Sequence, residues 1–299
     1  MASKPVVAWI GAGRMGVPMA GFVLKAGYAV KVYSRSSASR QKLVSQGAQE
    51  ALSAADSVRD AGVVFTSLAD DGALRATVLG EGGALVNMRP NSVLAETSTV
   101  STRLSEEIDA AARARGIAYL RVPISGNAAS AQKGEVTALV SGPRDAWERI
   151  KPIVESFSKG QIYLGPGEQA RVMKLVVNAL VVNFAQAMAE ALALGRKGGL
   201  EWDLMLDTLA QSTLSSPWLK VKAQLLKQRD FTTTMSTRLI LKDIDLMLDA
   251  ARGDDLPMPL TALTRQLLQV VVGEGYGEDD YMCAVKVAEK QAGLPTDHV

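Results

Sequence analysis

The sequence predicts an α/β N-terminal half built on a parallel sheet, a long connecting helix and an all-α C-terminal half. Three observations predict this. Short β-rich runs alternate with helically spaced apolar residues through the first half. Gly165-Pro166-Gly167 ends that alternation, and from Glu168 to Lys197 no strand signal or breaker follows apart from Gly195. Strand–helix alternation at this pitch implies parallel strands with helices on both faces. With 299 residues and 47% apolar side chains, the chain can fill two cores, because a single core tends to split beyond about 250 residues. The expected domains are 1–165 and 166–299.

Taken in order, Pro5 to Ile10, Ala29 to Ser34, Val63 to Leu68, Val93 to Thr97 and Ile117 to Val122 read as strands bounded by Gly, Ser, Asp and Asn. Met15 to Ala26 sets Met19, Phe22, Val23 and Ala26 on one helical side, and Leu104 to Arg115 is spaced likewise. Thr137 to Ser141 and Gln161 to Leu164 are strand-like and flank a helical stretch around Trp147. A helix over 168–197 would be about 45 Å long at its usual rise. Turns at Gly198-Gly199, Ser215-Ser216-Pro217, Gly253 to Pro259 and Gly273 to Gly277 separate further helices.

Composition narrows the chemistry. Thirty-three basic against thirty-one acidic residues leave a net charge of +2, without the electrostatic footprint of a dedicated nucleic-acid binder. The one histidine, His298, lies in a tail, which argues against a Ser-His-Asp triad, a Cys-His pair and a multi-His metal site, and the one cysteine, Cys283, excludes an internal disulfide. Any proton chemistry must come from Lys, Tyr, Asp, Glu or a cofactor. Val6 to Ile10 is too short for a signal-peptide core. Leu175 to Leu194 approaches a membrane span in length, but Asn178, Asn183, Gln186 and Glu190 interrupt it. The expectation is a cytoplasmic protein with no metal, nucleic-acid or membrane partner.

Gly11-Ala12-Gly13-Arg14-Met15-Gly16 follows the first strand and opens the first helix. In that context Gly11 permits the tight turn, Gly13 lets a pyrophosphate approach the backbone, and Gly16 lets helix and strand pack closely. Free N–H groups at the helix start then receive the anion. The second strand ends Val32-Tyr33-Ser34-Arg35-Ser36, without the acid that binds a ribose 2′-hydroxyl. Arg35 offers a guanidinium to a 2′-phosphate, and Ser34 and Ser36 offer neutral hydrogen bonds. NADP(H) is therefore expected in preference to NAD(H).

Lys174 lies near the start of the long helix, with Asn178 one turn later and Arg171 one turn earlier on the same face. Polar groups in so apolar a helix are costly unless partnered. Either Lys174 reaches solvent and Asn178 caps a loop, or Lys174 donates a proton to a carbonyl oxygen in a cleft while Asn178 orients it.

These residues resemble the β-hydroxyacid dehydrogenase family, which includes 3-hydroxyisobutyrate dehydrogenases and glyoxylate/succinic semialdehyde reductases. Four blocks match in order: Gly11 to Gly16, continuing into Met19-Ala20; Val122-Pro123-Ile124-Ser125-Gly126; Lys174 with Asn178; and Leu241-Lys242-Asp243. The resemblance implies a Rossmann domain followed by a helical domain. It implies that Ser125 and the backbone around Gly126 and Asn127 hold a substrate carboxylate, with Lys174 as general acid and base. It also implies that Thr99 lies near the nicotinamide, that Leu68 and Ala69 pack near the adenosine half, that Lys242 closes over the cofactor, and that Phe231 lines the substrate pocket. The sequence departs from the family pattern at Arg121 (usually an acid), Asn127 and Glu168 and Ala170 (usually Gly), and Val177 (usually Asn). The implied activity is NADP-dependent interconversion of a small hydroxy acid and its semialdehyde or keto acid. Imine reduction on the same scaffold and a non-catalytic dinucleotide-binding module are the alternatives. The greasy surface of the long helix predicts a homodimer or homotetramer.

Overall fold

The computed structural model describes residues 4–296; His298 lies outside them. The strands are β1 (Val7–Ile10), β2 (Val30–Tyr33), β3 (Gln49–Glu50), β4 (Val63–Thr66), β5 (Val93–Glu96), β6 (Ala118–Arg121), β7 (Ile124–Ser125), β8 (Val136–Ser141) and β9 (Ser158–Gly165). The helices of the first half are α1 (Gly16–Lys25), α2 (Ser37–Val44), α3 (Ala54–Val58), α4 (Asp71–Val78), α5 (Ala84–Asn87), α6 (Thr102–Arg113), α7 (Ala128–Gln132) and α8 (Arg144–Glu155). After them come α9 (Gln169–Lys197), α10 (Trp202–Gln211), α11 (Pro217–Lys227), α12 (Thr237–Gly253), α13 (Pro259–Gly273) and, after a 3-10 turn at Tyr281–Cys283, α14 (Ala284–Gln291).

The sheet runs β3-β2-β1-β4-β5-β6-β8-β7, with β9 beside β8. From β3 to β6 all pairings are parallel. The order reverses between β1 and β4, and ligands of such sheets bind outside the carboxyl ends at this point. β1, β4 and β5 are buried at every position, which is why they read as unbroken apolar runs. Alternate residues feed two cores. Val7, Trp9 and Phe65 pack with Met19 and Val23 of α1 and Trp147 and Ile150 of α8. Ala8, Ile10, Val64 and Leu94 pack with Leu74 of α4 and Leu104 and Ile108 of α6 on the other face.

The parallel sheet expected from the alternation carries an antiparallel addition at its far edge, where β8 runs antiparallel to both β6 and β7. β7 is hidden in sequence because Pro123, which cannot donate to a ladder, precedes only two strand residues.

The chain forms two compact units that divide at Val176/Val177, inside α9 rather than at the Gly165–Gly167 break. The first turn of α9 is bonded to the sheet: the Ala170 N–H donates to Ser141 Oγ at 3.1 Å, and the Arg171 guanidinium reaches Glu96 and Ser98. The second unit has its own core, to which α9 contributes Val182, Ala185, Met188, Ala189 and Leu192. The α9 helix is long and apolar enough to cross a membrane by length and composition. Its Asn183 is nevertheless matched within this unit, donating to Thr261 Oγ1 at 3.0 Å and accepting from Thr264 Oγ1 at 2.7 Å.

Candidate active site

The glycine turn is built from β1 outward. The Trp9 indole N–H donates to Gly11 O at 3.1 Å. The Trp9 ring stacks on Phe65 at 5.0 Å and meets Phe157 edge-on. Gly11 has φ +101°, and a Cβ there would lie 2.2 Å from Ser67 O. At Gly16 a Cβ would lie 2.0 Å from Gly11 O. At Gly13 no atom of the described residues beyond its two chain neighbours lies within 4 Å of such a carbon. The outer glycines are thus required by packing and the middle one is open, which fits a phosphate group laid against the backbone. No side chain caps the start of α1, where Met15 is the N-cap residue, so the helix end suits an anion. Ala12 is buried and Arg14 is exposed.

This contrast is testable. Gly13→Ala is expected to keep the wild-type melting curve and to weaken dinucleotide binding by about tenfold or more. Gly16→Ala is expected to destabilise by about 1–3 kcal/mol through overpacking. Fluorescence titration with NADPH and thermal melts check both; wild-type affinity in Gly13→Ala would remove the phosphate assignment.

At the end of β2, Arg35 is exposed. Arg40 is engaged elsewhere, pairing with Glu50 at 2.7 Å and donating to the Ser34 carbonyl. Ser36 caps α2, its Oγ accepting from the Ser39 N–H at 3.3 Å, and no acid occupies the first turn of α2. Leu68 lies against the glycine turn, its Cδ2 being 3.1 Å from the position of a Cβ on Gly11, while Ala69 is exposed. The Leu68 N–H donates to Ser98 Oγ at 2.7 Å, which ties the β4 loop to the segment carrying Thr99.

Ser125 is half-buried in β7, paired with Thr137 of β8. Gly126 follows with φ +145°, where a Cβ would meet Ser130 Oγ and Val136. Asn127 is the N-cap of α7 in a reciprocal capping box: its Oδ1 accepts from the Ser130 N–H at 2.9 Å, and its own N–H donates to Ser130 Oγ at 2.8 Å. Those groups of Asn127 are therefore committed to the helix start.

On α9, Arg171, Lys174, Leu175 and Asn178 form the buried stripe, while Val172, Met173 and Val176 are exposed. Arg171 and Glu96 are both fully buried and pair at 2.7 Å. Burial works against the Arg171 charge, but Glu96 beside it prevails and holds its pKa above that of a free guanidinium. Burial also pushes the neighbouring Tyr119 phenol up to about 12, so it stays neutral. In the second unit, Asn178 Nδ2 donates to Asp243 Oδ2 at 2.7 Å, and Lys242 pairs with Asp243 Oδ1 at 2.9 Å. Phe231 belongs to the helical core, with the Lys286 ammonium 4.6 Å from its ring centre.

Comparison with known proteins identifies the family. Residues 6–165 match the NAD-binding domain of 6-phosphogluconate dehydrogenase, and residues 168–288 match the NAD-binding region of NADP-dependent 3-hydroxyisobutyrate dehydrogenase. An NAD-dependent L-serine dehydrogenase of Pseudomonas aeruginosa is 32% identical over 96% of this chain and 99% of its own. The chain belongs to the β-hydroxyacid dehydrogenase family. Among solved structures, the 3-hydroxyisobutyrate dehydrogenase of Salmonella typhimurium superposes with a TM-score of 0.86 at 25% identity, over 95% of this chain and 100% of that one. Psf3 in complex with NADP+ and 2-OPP gives 0.85 at 25% identity, over 94% and 99%.

As a β-hydroxyacid dehydrogenase the chain is an oxidoreductase with a nicotinamide-dinucleotide-binding domain. Two pairings in this family member escaped the sequence reading. Asp243, singled out only as part of the Leu241-Lys242-Asp243 block, holds Asn178 from 65 residues away, and Glu96, an acid closing an otherwise apolar strand, holds Arg171 from 75 residues away.

Proposed function

We propose that this β-hydroxyacid dehydrogenase interconverts a small hydroxy acid and its semialdehyde or keto acid with NADP(H), Lys174 moving the proton. The observation that carries the reading is Lys174 itself, a lysine buried on the same helical stripe as Arg171 and Asn178. When bound, the nicotinamide supplies hydride in reduction and accepts it in oxidation. In reduction the Lys174 ammonium gives its proton to the carbonyl oxygen; in oxidation the amine takes the hydroxyl proton back. Ser125 and the Gly126 backbone hold the carboxylate, and Asn178, fixed by Asp243, presents an oriented amide. The glycine turn takes the pyrophosphate, while Leu68, Ala69, Thr99 and Lys242 serve the rest of the dinucleotide.

The preference for NADP(H) rests on Arg35, exposed beside the α2 N-terminus where no acid stands. The similar Psf3 structure holds NADP+, although the L-serine relative is NAD-dependent. A homodimer or homotetramer is part of the proposal, because Val172, Val176 and Leu180 are exposed at successive turns of α9. So is a cytoplasmic setting, supported by the unpaired, buried Cys283.

The test is an NADPH-oxidation screen over glyoxylate, succinic semialdehyde, methylmalonate semialdehyde and tartronate semialdehyde, repeated with Arg35→Ala. Turnover of at least one acid is expected, with the KM for NADPH raised about tenfold or more by the substitution and that for NADH nearly unchanged. Equal changes for both cofactors would defeat the NADP(H) preference, and no turnover with either would defeat the reaction.

A further inference from the structure

Four charged side chains of the first unit take no part in the reaction proposed above, yet they surround the start of the helix that carries Lys174. Thr66, Glu96 and Arg121 are register partners at the carboxyl ends of β4, β5 and β6, and Ser141 of β8 is paired with Arg121. These residues make a polar row across four neighbouring strands, and α9 is bonded to it. Ser141 Oγ accepts from the Ala170 N–H at 3.1 Å. Arg171 donates to Glu96 Oε2 at 2.7 Å and to Ser98 O at 2.6 Å. Glu168, just before the helix, accepts from Arg121 Nε at 2.7 Å and also pairs with its Nη2.

Arg121 is only 2% exposed; its guanidinium lies 4.6 Å from the Tyr119 ring centre and has Asp109 as a second carboxylate at 3.2 Å. A guanidinium so engaged is not offered to a substrate. The two departures from the family pattern at Arg121 and Glu168 are therefore each other's partners, and removing either would leave the other charge under-compensated in a buried place.

We propose that the Arg121–Glu168 and Arg171–Glu96 pairs form one clamp that positions Lys174. Lys174 lies one turn after Arg171, so anchors on both sides of the first turn set the rotation and height of its Cβ. The same arginine holds the Ser98 carbonyl and with it the segment carrying Thr99. Arg121 and Glu168 are positioning residues that act through the helix, and misplacement of about 1 Å at a reacting group can cost 100-fold in rate.

This inference rests on the role given to Lys174 above, so the experiment reads that lysine both with and without turnover. Glu168→Gln keeps the shape and one acceptor for Arg121, and Arg121→Met removes the cation at similar length. In the full-length protein, acetylation of Lys174 by acetic anhydride is followed by peptide mass spectrometry against exposed Lys133. Lys174 is expected to react about threefold faster or more in each variant, because local opening exposes it. The double variant should react no faster than Arg121→Met. The kcat is expected to fall about tenfold with the cofactor KM within about twofold. Wild-type Lys174 labelling in variants that melt like wild type overturns the clamp, whether or not any acid is turned over. So does a loss of cofactor affinity matching the loss of kcat. Faster labelling in a chain that turns over none of the acids keeps the clamp and removes the proposed reaction. If Arg121→Met does not fold, Glu168→Gln carries the same expectation alone.

Discussion

Lys174→Ala is expected to lower kcat by about a thousandfold, within the range attributed to positioned general acids and bases, while NADPH binds almost as before. The two halves of this expectation have separate physical sources. In the proposed reading the dinucleotide is held by a turn whose shape comes from Gly11 and Gly16 against Ser67 and Trp9, whereas Lys174 lies on α9. The proton has few other sources. The described residues include no histidine, Tyr119 is held neutral with its pKa near 12, and Arg171 is kept charged by Glu96. Lys174→Arg should fare little better, since a guanidinium does not release its proton near neutrality. A small primary amine such as methylamine is expected to restore part of the rate in Lys174→Ala and none in Lys174→Arg. The measurement is steady-state NADPH oxidation on the best acid of the screen, together with fluorescence titration of the cofactor. Undiminished turnover in Lys174→Ala would refute the assignment.

What was legible in the sequence follows from the range of the forces involved. β1, β4 and β5 could be read because burial on both faces leaves unbroken runs such as Val7-Ala8-Trp9-Ile10. The glycine turn was legible because its requirements are local: a positive φ at Gly11 and close backbone approach at Gly16. Helical spacing alone put Arg171, Lys174 and Asn178 on one face, and the structure buries all three. What stayed hidden is tertiary. No local pattern joins Arg121 to Glu168 across 47 residues, or Asn178 to Asp243 across 65. Asn127 shows a subtler limit. The sequence marked it as a departure from the family pattern within a substrate segment, and the structure shows its side chain capping α7. The two-residue β3, Gln49–Glu50, carries no alternation that could have announced it.

Arg171→Met is expected to be the most damaging single change to the stability of the first unit. Arg171 and Glu96 are both 0% exposed, so the substitution leaves a carboxylate in the interior without its cation. Breaking a buried pair from one side costs about 3–5 kcal/mol, which would lower the melting temperature by roughly 10 °C in a domain of this size. The remaining partners of Glu96, the Ser98 N–H at 2.5 Å and Thr66 Oγ1 at 3.5 Å, are neutral and cannot replace a guanidinium. Removing both charges together should be milder, because well-packed apolar replacements for buried pairs are often close to neutral. Arg171→Met combined with Glu96→Leu is therefore expected to recover about half of the loss or more. Recovery stays incomplete because the Ser98 N–H then lacks its acceptor, at a cost of about 1–3 kcal/mol. Calorimetry on the single and double variants decides the matter. If the double variant is no more stable than Arg171→Met, then packing or the Ser98 contact, and not an uncompensated charge, dominates at this junction of β5 and α9. A melting curve for Arg171→Met identical to wild type would mean that the pair does not hold the helix to the sheet at all.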